Sequence, residues 1–305
     1  MAFTTLIDTK TLAGHLADSA FAIVDCRFNL EDESWGERNY LAGHISGAVY
    51  AHLDRDLSGT KTGKNGRHPL PSAHGLTHTL SRFGIDSGIQ VVAYDQNTGM
   101  YASRLWWLLR WMGHEAVAVL DGGFAKWTSE GLPTARGEES RSPRAFRGAP
   151  LADMVVNADE VAALAHRTDW RLVDARAPER FRGETEPIDR AAGHIPGAVN
   201  HFFKRNLAEG GTFLLPESLR ARLRQDTDDV APDHIVSYCG SGVTACQNLL
   251  ALEHAGLSGA KLYPGSWSEW SSDPARPIET RSQPEAAKSL AGPTSREGKK
   301  DQSSL

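Results

Sequence analysis

The chain has 305 residues, 40% of them hydrophobic and 23% charged, with 33 basic against 38 acidic side chains and a formal net charge of −5. This length suggests two domains of about 150 residues each, and scattered basic residues under a mild acidic excess exclude general affinity for nucleic acid or anionic membranes. Three cysteines (Cys26, Cys239 and Cys246) are too few for a disulfide scaffold and suit a reducing compartment.

No apolar run approaches the ~20 residues of a membrane helix. The first residues carry neither the basic and apolar regions of a secretory signal nor an Arg-rich presequence. A cytoplasmic location is therefore expected.

In chain order, Phe21-Ala22-Ile23-Val24-Asp25 is an apolar run ending in an acid, the pattern of a buried strand. Next come Ala42-Gly43-His44-Ile45-Ser46-Gly47-Ala48-Val49, a strand over 91–94 ending at Asp95, and a helix from Tyr101 to Arg110. Asp121-Gly122-Gly123-Phe124 with Trp127 closes this series. Residues 136–151, rich in Arg, Ser, Gly and Pro, read as a linker. The series then restarts with Arg171-Leu172-Val173-Asp174 and Ala192-Gly193-His194-Ile195-Pro196-Gly197-Ala198-Val199. A strand over 235–238 ends at Cys239, a helix over 245–253 is closed by Gly256, and Pro264-Gly265-Ser266-Trp267 with Trp270 completes it. Four blocks matching in order at offsets between 143 and 150 mark a tandem duplication.

Alternating strand and helix in each copy predicts an α/β fold, two tandem domains each built on a parallel sheet with helices on both faces. The expected division is 1–135, a linker at 136–151, 152–280, and a polar tail at 281–305 that reads as disordered. Ligands of such sheets bind beyond the carboxyl ends of the strands, where Asp95 and Cys239 fall.

Cys239 leads into Gly240-Ser241-Gly242-Val243-Thr244-Ala245, a loop between strand and helix. Loop amides can point inward there, and the helix start adds partial positive charge. Gly240 and Gly242 permit the backbone turn, while Ser241 and Thr244 can donate hydroxyl hydrogen bonds. All of this favours a thiolate over a thiol. The competing reading, a small buried hydrophobe, suits many free cysteines, but the context favours a nucleophile.

The duplication, the two Gly-His-Ile-x-Gly-Ala blocks and the Cys-Gly-Ser-Gly-Val-Thr-Ala loop resemble the rhodanese superfamily. Within it, the likeness is to the two-domain thiosulfate and 3-mercaptopyruvate sulfurtransferases, over roughly residues 1–280. The resemblance implies that Cys239 carries sulfur as a persulfide, with Ser241 and Thr244 assisting and Gly240, Gly242 and Val243 lining the donor site. It implies a non-catalytic first domain, consistent with Asp95 opposite Cys239. The first loop, one residue longer, is not expected to form the same anion cradle. Thiosulfate-type members place basic side chains in the cysteine loop, where Gly240 and Ser241 stand here, so 3-mercaptopyruvate is the expected donor and thiosulfate:cyanide transfer the alternative. The acceptor would be cyanide, a thiol or a thioredoxin-like protein.

By the same resemblance Arg180 is the first substrate arginine, since bidentate guanidinium suits a carboxylate. Arg190 is the nearest candidate for the second, although Asp189 holds the ungapped position. The resemblance also allows His44 to pair with Ser241 as a proton relay, backed by Asp32 or Glu33. A structural turn role explains it equally, since His194 repeats it. Cys26 and Cys246 read as packed thiols, with a redox partnership to Cys239 the alternative for Cys246. Trp267 could wall the cleft. No cofactor is expected, and no cluster has zinc-ligand spacing. A cysteine phosphatase would need an arginine closing its loop, where Ala245 and Cys246 follow instead. A binding-only sulfur-relay module is the non-enzymatic alternative.

Overall fold

The computed structural model describes residues 2–280; Met1 and the stretch 281–305, including the tail read as disordered, lie outside the described residues. Among the described residues eleven short strands form in chain order: β1 (Leu6–Ile7), β2 (Phe21–Asp25), β3 (His44–Ile45), β4 (Val49–Tyr50), β5 (Gln90–Tyr94), β6 (Val117–Leu120), β7 (Thr134–Ala135), β8 (Arg171–Asp174), β9 (Val199–Asn200), β10 (Ile235–Tyr238) and β11 (Lys261–Leu262). They build a parallel sheet in the order β1-β6-β5-β2-β4 and a second in the order β11-β10-β8-β9. The expected α/β architecture, with helices flanking each parallel sheet, is what the chain adopts. A small antiparallel pair, β3 with β7, closes the first copy, and the His194–Glu279 bridge closes the second at the equivalent place. No helix among the described residues is long and apolar enough to cross a membrane.

The central strands read as unbroken apolar runs because both faces are covered. Successive side chains point to opposite faces: Ala22, Val24, Val91 and Ala93 enter one cluster, whereas Phe21, Ile23, Val92 and Tyr94 enter another. The second sheet divides likewise, with Val173 and Ile235 on one side and Leu172, Val236 and Tyr238 on the other. One cluster is common to both copies. In it the helix Ala102–Trp111 packs against the helix Thr244–His254, so the domains share a core rather than touching at a polar seam.

A buried ion pair recurs at the end of the first long strand of each copy. Arg27 Nη2 donates to Asp25 at 2.6 Å and to the Gly43 carbonyl at 2.7 Å, and Arg176 Nη2 donates to Asp174 and the Gly193 carbonyl, both at 2.7 Å. Each pair ties the strand end to the Gly-His-Ile turn. Residues 136–151 contain no helix or strand, yet Phe146 is buried in the common core.

Candidate active site

Strand β10 delivers Cys239 to the floor of a cleft of about 340 Å³, walled by both domains. The cysteine is 2% exposed. Its Sγ accepts the Gly242 N–H at 3.2 Å, and its own N–H donates to Ser266 Oγ at 3.1 Å. The loop holds this shape because Gly242 has φ +76°, and a Cβ there would lie 2.4 Å from the Pro264 carbonyl. Gly240, Ser241, Val243 and Thr244 line the cleft beside the sulfur.

The first copy supplies what the second lacks. Residues 66–68 cross to the cysteine loop: the Arg67 N–H donates to Ser268 Oγ at 3.0 Å, and His68 Nδ1 meets Ser241 Oγ at 2.7 Å. Gly66 makes the crossing possible, since a Cβ there would lie 2.7 Å from the Gly265 carbonyl. Behind His68, its Nε2 lies 3.6 Å from Asp54 Oδ1. Burial pushes the His68 imidazole down to about 3, against the pull of Asp54 and with help from Arg104, Lys61 and Arg67, so the ring is neutral. Ser241, His68 and Asp54 thus form a serine–histidine–acid line beside the thiol.

His44 is not part of it. Its ring is fully buried in the first domain, stacked on Tyr40 at 4.2 Å with Nδ1 2.8 Å from the Tyr40 carbonyl. His194 repeats that arrangement on Phe181, at 3.8 Å, with Nδ1 2.7 Å from the Phe181 carbonyl. Both histidines pin their turns. Of the acids expected behind His44, Asp32 pairs with Arg38, whose hydrogen bond with that of Ser34 draws the carboxyl down to about 2; Glu33 gives its carbonyl to His52 Nε2 at 3.2 Å.

Arg180 lines the cleft, donating to Glu186 at 2.6 Å and Asp189 at 3.1 Å. Arg190 does not; it is exposed and outside the cleft wall. The second cleft guanidinium of this kind belongs to Arg67, whose Nη1 pairs with Asp189. Burial pushes the Asp189 carboxyl up, opposed by Arg67 and Arg180, while Glu186, also buried, is drawn down by its hydrogen bonds from Arg180 and the loop amides. A side chain at position 240 would begin 2.8 Å from Arg67 Nη2 and 3.7 Å from Arg180. Glycine at 240 therefore leaves both guanidinium heads facing the space above the sulfur. Trp267 does not wall this space: it is fully buried beneath Arg176, whose guanidinium sits 4.7 Å above its ring.

Cys246 Sγ donates to the Gly242 carbonyl at 3.3 Å, and burial pushes its thiol up to about 12. Cys26 is buried 1% exposed in the first domain, its thiol also pushed up by burial. Among the described residues no group of His, Cys, Asp and Glu could hold a metal ion. A larger cavity, about 570 Å³, lies between the first domain and the linker, but its Arg55 pairs with Glu37 and its Arg82 with Asp56, and no cysteine lines it.

A duplicated α/β domain with one cysteine held in a loop of amides defines a class, and the rhodanese-like domain family matches residues 8–130 and again 157–273. The chain belongs to the rhodanese family. A Pseudomonas aeruginosa protein named "Probable 3-mercaptopyruvate sulfurtransferase" is 46% identical, with 92% of this chain and 99% of the relative covered. A Mycobacterium tuberculosis relative named for thiosulfate sulfurtransferase activity, SseB, is 41% identical over 90% of this chain and 96% of its own. The structure of SseA from Escherichia coli, a 3-mercaptopyruvate sulfurtransferase, superposes with a TM-score of 0.76 at 32% identity, covering 88% of this chain and all of that one.

Arg67, His68 and Asp54 were not singled out by sequence. The signal lay in the duplication itself. His44 recurs as His194, whereas the Gly66-Arg67-His68 run has no matching run in the second copy.

Proposed function

We propose that this chain is a sulfurtransferase that moves a sulfane sulfur from 3-mercaptopyruvate to a thiophilic acceptor through a persulfide on Cys239. The observation that carries the reading is one sulfur, receiving a loop N–H, at the base of a cleft that Arg180 and Arg67 enter from opposite domains. The donor's carboxylate and keto oxygen are matched by these two guanidinium groups, which exchange part of their hold on Glu186 and Asp189 for the ligand. Arg190 has no part in this.

In the first half-reaction the Cys239 thiolate attacks the donor sulfur. A sulfur–sulfur bond forms, the carbon–sulfur bond breaks, and its electron pair passes to the carbon as the enolate of pyruvate. The proton of the donor thiol ends on that carbon, and Ser241 with neutral His68 is placed to relay it. The Gly242 N–H and the Thr244 hydroxyl then hold the terminal sulfur of the persulfide. In the second half-reaction a thiol, cyanide or a thioredoxin-like protein takes it, regenerating the thiolate. The first domain (1–135) does no chemistry at its own loop, 136–151 links it to the catalytic domain (152–280), and the setting is cytoplasmic.

Cys239→Ser is expected to abolish turnover and the adduct of about 32 Da that donor leaves on the protein. Turnover retained at the parent rate would overturn the assignment.

Thiosulfate is the second reading, favoured by one observation. Arg67 brings a guanidinium to within 2.8 Å of where a side chain at 240 would start, returning positive charge to a loop that has none of its own. Comparing kcat/KM for the two donors decides between them; a higher value with thiosulfate reverses the preference.

A further inference from the structure

Arg104 lies on the helix Ala102–Trp111 of the first domain and has no exposed surface. Its Nη1 donates to the Gly242 carbonyl at 3.0 Å, Nη2 to the carbonyls of His68 at 3.0 Å and Pro69 at 3.4 Å, and Nε to that of Leu57 at 3.4 Å. All these acceptors are neutral. Among the described residues no carboxylate pairs with it, and the groups that oppose its desolvation are the sulfurs of Cys246 and Cys239. A buried cation without a counter-ion is costly, so this one calls for a compensating negative charge.

The duplication provides an internal control. Gln247 stands at the equivalent place on the helix Thr244–His254, is equally buried, and donates through Nε2 to the Thr98 carbonyl at 3.3 Å. Thr98 is three residues beyond Asp95, as Gly242 is three beyond Cys239. The same cross-domain hydrogen bond is therefore built twice, with a neutral amide toward the loop that holds a carboxyl and a guanidinium toward the loop that holds a thiol. Hydrogen bonding alone needs only glutamine.

We propose that Arg104 is a positioning residue that acts as the resident counter-cation of the Cys239 sulfur, thiolate and persulfide alike, delivered across the domain interface through Gly242. This rests on Cys239 being the reactive thiol. Gly242 links the two: its carbonyl accepts from Arg104 while its N–H donates to Cys239 Sγ. Apart from Lys204, which lines the cleft, the other charged groups around the sulfur are balanced or neutral. Arg67 and Arg180 are held by Asp189 and Glu186, Arg176 by Asp174 and Glu186, and His68 is uncharged in front of Asp54. Cys246 keeps its proton. The first domain carries Asp95 rather than a cysteine at its own loop, yet supplies the charge that sustains the other.

The test is the pH profile of Cys239 alkylation by iodoacetamide, read by mass on the Cys239 peptide in the absence of any donor. Arg104→Gln reproduces the residue the second copy uses; Arg104→Lys keeps the charge and loses most of the donors. The Gln variant is expected to move the profile midpoint upward by about one pH unit or more, slowing alkylation on the rising limb about tenfold, while the Lys variant stays within about half a pH unit of the parent. A folded Gln variant whose profile superimposes on the parent's overturns the proposal, as does a Lys variant that moves as far as Gln. If the Gln variant does not fold, Lys alone decides: an unmoved profile supports the charge, and a midpoint raised as far as expected for Gln sinks it. Because no donor is present, this result is independent of whether Cys239→Ser stops sulfur transfer.

Discussion

The loops that follow β5 and β10 are two solutions to one problem, how to gather backbone N–H groups at the end of a parallel strand. In the first copy the anion is built in. The Asp95 carboxyl accepts from the amides of Asn97 at 3.2 Å, Gly99 at 2.9 Å, Tyr101 at 2.8 Å and Ala102 at 3.3 Å. The longer loop is not expected to form the same anion cradle, and it does not: its amides gather around its own side chain. In the second copy the strand ends in a thiol that takes a single loop N–H, and the space above it opens to the cleft. One loop is satisfied and structural, the other left with capacity for a transferred sulfur.

The neighbours follow the same division. Residues 66–68 bring Arg67 and His68 over the cysteine loop, and residues 211–213 of the second copy reach back over the first loop, where Gly211 lies against Asn97, Phe213 against Gly99, and the Phe213 N–H donates to Asp121 at 2.8 Å. The exchange is reciprocal, but only one direction carries ionisable groups.

The comparison breaks most visibly if both strand-end residues are replaced. Cys239→Ser should leave stability within about 1 kcal/mol of the parent while transfer disappears. Asp95→Ala strands four amides and should cost about 3 kcal/mol or more in urea unfolding. Equal stability losses in the two variants would erase the distinction between a filled and an open loop.

Next in size is the donor clamp. Arg180→Met should lower kcat/KM for 3-mercaptopyruvate about a hundredfold, close to 3 kcal/mol. Arg67→Met should lower it about tenfold, with the larger part in KM. Arg190→Met serves as the control and should leave kcat/KM unchanged; a loss there would return Arg190 to the site.

The smallest effect is a slope. Burial holds His68 neutral down to about pH 3 in the native state, whereas an unfolded imidazole takes up its proton near ~6.5. The native state keeps its full stability above that higher value and loses it as the pH falls toward the lower one, by up to about 1.4 kcal/mol per pH unit. His114 and His254, also held down by burial, add slopes of the same sign. The test is therefore the difference between the parent and His68→Asn in urea unfolding between pH 7 and 5, with the parent falling faster. Parallel lines would place the loss elsewhere.

Strands, helices and the cysteine loop were legible in the sequence because each is local. Phe21–Asp25 and Ile235–Tyr238 announce burial by composition, and Cys239 to Thr244 announces a tight turn by its glycines. His68 and Arg104 were not, because each acts on residues more than a hundred positions away, and nothing nearby in the chain betrays that. Arg190 misled because an arginine next to the expected position outweighed the acid occupying it; Asp189 was the informative residue, since its partner came from the other domain. For His44 the sequence leaves a relay and a turn role level, since His194 repeats it, and the burial and ring stacking of both histidines decide for the turn.

The apolar layer common to both copies has a practical consequence for dissection of the chain. A polypeptide of residues 152–280 alone would own the cysteine yet bare to water the face its long helix packs on the first domain, and would forfeit Arg67, His68 and Arg104 together. Severed halves of this molecule should thus be sticky and inert separately, and should recover transfer only when mixed, by fragment complementation.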